Sequence, residues 1–143
     1  MYNTIVVGTD GSESSLLAVQ RASDLAAAVG AELVLASAFI GPEGDRATVQ
    51  ARTTTVEGKQ AAEAALSGAE AVAKDKGVAT VRTVVREGSP VDALMGIVNS
   101  EEADLLIVGN RGINSLTGRL LGSVPADVAR QAHCDVMIVH TVD

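Results

Sequence analysis

A chain of 143 residues can bury about two-thirds of its unfolded surface in one domain, here expected to span 1–143. Hydrophobic residues make up 47% of it but aromatics only 1%, Tyr2 and Phe39, so the core has to be aliphatic. A net charge of -7 repels phosphate backbones, and so few aromatics leave no stacking platform for single strands, which argues against nucleic-acid partners.

The chain opens on MYNTIVVGTDGS, whose TIVVGT (4–9) is a short β-branched run of strand type. It carries no basic region, so no leader is expected and the protein is placed in the cytoplasm. Ser12 reads as a helix cap. Ala18, Ala22, Leu25, Ala26 and Val29 then share one helical face, and Gly30 stops that helix. ELVLASAF (32–39) is the second strand. The apolar stretch from Leu25 through this strand falls short of the ~20 residues of a membrane span and is broken by Glu32, so no membrane partner is expected.

GPEGDRATVQARTTT (41–55) has no clear period and reads as a mobile loop. Ala62, Ala65, Leu66, Ala69, Val72 and Ala73 form a second helical face, ended by Gly77. ATVRTVVR (79–86) alternates, with Arg82 and Arg86, as an edge strand would. SPVDALMGIVN starts a third helix with Ser89 as N-cap and Pro90 at the first helical position. DLLIVG (104–109) is the fourth strand. SVPADVARQAH is a fourth helix capped by Ser123, and DVMIVH (135–140) is the fifth strand. Near-continuous apolar strands suit a parallel sheet buried on both faces. The order βαβαβαβαβ implies an α/β fold: an open, doubly wound, five-stranded parallel sheet with helices on both faces, for which the order 3-2-1-4-5 is taken as the expectation.

In such sheets ligands bind beyond the carboxyl ends of the strands, where the strand order reverses. Here that is between the first and fourth strands, which end at Gly8-Thr9-Asp10-Gly11 and Gly109-Asn110-Arg111-Gly112. The stretch GNRGINSLTGRLLGSV (109–124) bares its backbone at four glycines. Gly122 and Ser123 put free N–H groups and a hydroxyl at the positive end of the fourth helix, a ready anion site.

Gly109, two residues, Gly112, nine residues, then Gly122-Ser123 resemble the G-x2-G-x9-G-(S/T) motif of nucleotide-binding universal stress proteins. VVGTDGS at the first strand and EGSP before the third helix extend the resemblance over essentially the whole chain, and it implies that family's Rossmann-like fold. By the same resemblance Gly109 and Gly112 admit ribose and phosphate, and Gly122, Ser123 and the Val124 amide hold phosphate oxygens. Asp10 matches an aspartate near ribose and base, and Ala38 a position whose backbone reads the adenine edge. Thr9 and Asn110 end the two converging strands and complete the candidate set with Arg111 and Arg119, which lie near the phosphates. For either arginine, solvated surface charge is the competing reading.

The implied function is that of a cytoplasmic stress-response sensor, regulator or reservoir of ATP, AMP or cyclic AMP. Mg2+ would come with ATP. The alternative is slow hydrolysis on the same site, for which Asp10 is the one obvious carboxylate and no P-loop lysine is available. Asp10 also fits a turn, as Asp-Gly pairs do. Flavodoxins stack aromatics on their flavin and receivers carry a lysine after the fifth strand; neither feature occurs here. His133 and Cys134 fall at the opposite end of the sheet and read as structural, and His140 ends the fifth strand away from the reversal. The apolar fifth-strand edge invites pairing, and the family resemblance implies a homodimer that joins these strands antiparallel, with Val136, Ile138 and His140 near the two-fold.

Overall fold

A computed structural model describes residues 1–40, 48–110 and 123–141, with the side chains of 48–57 and 123 left aside. Along the chain run β1 (Thr4–Gly8), α1 (Glu13–Val29), β2 (Glu32–Phe39), α2 (Thr48–Asp75), β3 (Val81–Glu87), α3 (Pro90–Ser100), β4 (Leu105–Gly109), α4 (Ser123–Gln131) and β5 (Asp135–Val139). The strands pair in parallel in the expected order β3-β2-β1-β4-β5.

Strand side chains alternate between two cores. Ile5, Val7, Leu33, Leu35, Leu105 and Ile107 pack against the small face of α1 and α2, including Ala18, Ala22, Ala26, Leu66, Ala69 and Ala73. Val6, Val34, Ala36, Leu106 and Val108 pack on the other side against Leu94, Ile97 and Val98 of α3 and Val124 and Val128 of α4. Alanine faces let the helices approach closely, so an aliphatic core fills without aromatic bulk.

Local chemistry sets the ends. Ser12 accepts the Ser15 N–H at α1, and Ser89 accepts the Asp92 N–H at α3 with Pro90 next. Gly30 closes α1 at φ 74, and Gly77, at φ 88, follows α2. One expectation is corrected: residues 48–55, read as loop, belong to α2. TVQARTTTVE lacks an apolar period but also lacks proline and glycine, so the helix extends back from its buried segment at little cost. Residues 41–47 of that stretch lie outside the described residues. Ser123 is the first helical residue of α4 rather than its cap.

Candidate functional site

Chain direction at the carboxyl rim creates a crevice. Beyond β1 the chain turns into α1 on one face of the sheet, whereas α4, which follows β4, packs on the other. The β1–β4 ladder runs from Ile5↔Leu105 to Val7↔Ile107, beyond which the two chains part. Thr9 N–H crosses instead to the Ala36 carbonyl at 2.9 Å, and Asn110 N–H to the Val139 carbonyl at 2.8 Å.

Hydroxyls brace the β1 side. Thr9 is fully buried, and its Oγ1 accepts the Gly11 N–H at 3.1 Å. Ser15 donates its hydroxyl hydrogen to the Ser12 carbonyl at 3.0 Å, so in the 2.8 Å Thr9–Ser15 contact it is Thr9 that donates. The Thr9 side chain is therefore spent inside the loop. Asp10 Oδ1 accepts the Ser12 N–H at 2.9 Å, the geometry of an Asx turn. Among the described residues Oδ2 carries no bond of this kind, which leaves it able to accept from a ligand hydroxyl.

Across the crevice, Gly109 is buried, and a Cβ there would lie 3.2 Å from Thr141 Cγ2. Asn110 Oδ1 accepts both the backbone N–H and the hydroxyl of Thr141, each at 2.8 Å. Asn110 Nδ2, which can only donate, lies 3.3 Å from His140 Nδ1. His140 thus touches the crevice wall, nearer to it than its place at the end of the edge strand suggests. Ala38, half-buried near the end of β2, stands in register with Arg86 of β3. Val124 turns its side chain into the second core, so its backbone is what a ligand could meet. The first N–H groups of α4 have no intrahelical acceptor, which suits an anion. Arg111, Gly112, Arg119, Gly122 and the Ser123 side chain lie outside the described residues.

Sequence reasoning did not single out Ser14, Ser15 or Thr141. The hydroxyl-rich GTDGSESS offers a signal for the two serines; nothing local distinguishes Thr141. His133 and Cys134 lie at the amino end of the sheet, as expected, beside a cavity of about 590 Å³ shared with Tyr2, Asp104 and Asp135. Burial pushes the Cys134 thiol up from its ordinary value, and the carboxylates of Asp135 and Asp104 add to the effect. Among the described residues there is no cluster of His, Cys, Asp and Glu suited to a metal, and no helix long and apolar enough to cross a membrane.

Residues 1–140 match the model of the Universal stress protein family. Universal stress protein Rv1636 of Mycobacterium tuberculosis is 46% identical over 143 residues, covering 98% of this chain and 97% of that protein. A solved universal stress protein in complex with cAMP is 44% identical, with 99% of each chain covered and a TM-score of 0.79. Universal stress protein UspA from Lactobacillus plantarum, 21% identical, covers 97% of this chain and 98% of its own, and shares the fold with a TM-score of 0.82.

Proposed function

The chain belongs to the universal stress protein family, and from that premise we propose that it binds an adenine nucleotide in the β1/β4 crevice and acts as a stress-response sensor, regulator or reservoir. One observation carries the reading: the 44%-identical relative was solved in complex with cAMP. In this reading the Asp10 carboxylate accepts from ribose hydroxyls and the backbone at Ala38 reads the adenine edge. Gly109, Gly112, Gly122, Ser123 and the Val124 amide surround ribose and phosphate. Thr9 and Asn110 hold the two walls rather than the ligand.

Residues 109–124 supply Arg111 and Arg119 and no lysine. That favours cyclic AMP or AMP over ATP, which would bring Mg2+ and more charge to balance. Binding rather than turnover is the activity in this reading, since the sequence holds no P-loop lysine to serve phosphoryl transfer. A nucleotide ligand and a single cysteine suit a cytoplasmic setting. The protein works as a homodimer joined along β5, with Val136, Ile138 and His140 at the two-fold. Exposed apolar side chains on that edge support this: Ile138 is 46% and Met137 39% exposed.

Calorimetry with cAMP, AMP and ATP tests the site. Gly122→Val is expected to abolish binding, because a branched side chain would fill the approach to the phosphate, while circular dichroism stays that of the parent. Unchanged affinity in that variant, or no binding of any of these nucleotides by the parent, overturns the reading.

A further inference from the structure

Thr141 joins parts of the chain at the carboxyl rim by hydrogen bonds that reach from β4 to α1. It follows β5, is 9% exposed, and gives both its N–H and its hydroxyl hydrogen to Asn110 Oδ1 at 2.8 Å. That donation uses the only hydrogen its hydroxyl has, so the 2.6 Å contact with Ser14 runs from the Ser14 hydroxyl to Thr141 Oγ1. Ser14 sits in the first turn of α1, directly after the Asp10 loop. The Thr141 methyl occupies the space that a side chain at Gly109 would need. One wall of the crevice is Gly109-Asn110 and the other is the loop from Asp10 into α1. Their shared ladder stops at Val7↔Ile107. Beyond that point the relay Ser14–Thr141–Asn110 spans the gap.

We propose that Thr141 is a positioning residue for the crevice: its hydroxyl fixes the separation of the two walls without touching the ligand. The proposal rests on the adenine-nucleotide reading. A hydroxyl is the group this role requires, because it must accept from one wall and donate to the other at the same time. Valine keeps the shape, the methyl on Gly109 and the backbone N–H, but breaks both hydroxyl links. Serine keeps both links and loses only the methyl.

The test is calorimetry with cAMP and AMP on the parent, Thr141→Val, Thr141→Ser and Ser14→Ala, alongside thermal melting. Loss of the relay is expected to weaken binding about two- to tenfold in Thr141→Val, the range set by a net hydrogen bond. Ser14→Ala, which cuts the relay from the α1 side without altering β5, is expected to match it and carries the test if Thr141→Val does not fold. Thr141→Ser is expected to bind like the parent although it melts lower. A merely structural Thr141 would lower melting in both of its variants and leave affinity alone. Parent-like affinity in Thr141→Val, or in Ser14→Ala if that variant alone folds, overturns the proposal. A parent that binds neither nucleotide overturns the site reading, and this inference with it.

Discussion

A Cβ added to Gly109 would press on the Thr141 methyl at 3.2 Å, and one added to Gly11 would meet the Ala65 Cβ at 3.1 Å while the backbone there holds φ 85. Both glycines are needed by the fold before any ligand arrives. Glycine is costly wherever it is not required, so its presence at these two positions signals backbone that something approaches closely. What approaches that backbone was not legible, since Thr141 lies 32 positions from Gly109 and carries no local mark. Cys134 offers a prediction at this scale. The thiolate is the reactive form, and a raised pKa shrinks its share at every pH below that value. Alkylation by iodoacetamide at a mildly basic pH is therefore expected to run slower than on free cysteine; an equal or faster rate would refute the assignment of an inert, half-buried thiol.

Among the elements, helix ends were the most legible because they rest on single side chains: Ser12 and Ser89 as caps, Pro90 behind the second, Gly30 in the left-handed conformation. The start of α2 was the least legible. Its polar first turns carry no apolar period, and helix there follows from continuity with Ala62–Ala73, a cooperative effect that a local pattern does not display. α3 shows the complementary case, since it is followed by Glu102 at φ 52, a left-handed conformation that costs a side chain about 1–2 kcal/mol. Glu102→Gly is expected to raise stability by about 1 kcal/mol, and Gly30→Ala, where nothing lies within 4 Å and the cost is conformational alone, to lower it by about 1 kcal/mol. Urea denaturation reads both, and shifts of the same sign in the two variants would defeat the argument.

For the whole molecule, β3 was legible as an edge because its sequence alternates and carries charge, whereas β5, the other edge, is as apolar as a buried strand and gave no such sign of its place in the order. On β3, Arg82 is held by Glu32 and Glu101, and Arg86 lies over Gly96, where a Cβ would fall 2.5 Å from its guanidinium. Charges of this kind discourage strand addition. β5 instead leaves Met137 and Ile138 exposed beside a groove of about 440 Å³ lined by Arg21, Asp24 and Leu25 of α1. Sedimentation of the parent is expected to give the mass of two chains at micromolar concentration and Ile138→Lys the mass of one; a monomeric parent would remove the β5 dimer.

The central strand acquires its neighbours at very different times. β1 pairs with β2 after one helix, but the Asp104 carboxylate that accepts the Thr4 N–H, and β4 beyond it, come 100 or more residues later. At ribosomal rates of about 5–20 residues per second, a nascent chain carries one bare flank of β1 for about 5–20 s. Throughout that interval it displays an aliphatic strand unpaired along one side, the kind of surface that chaperones recognise.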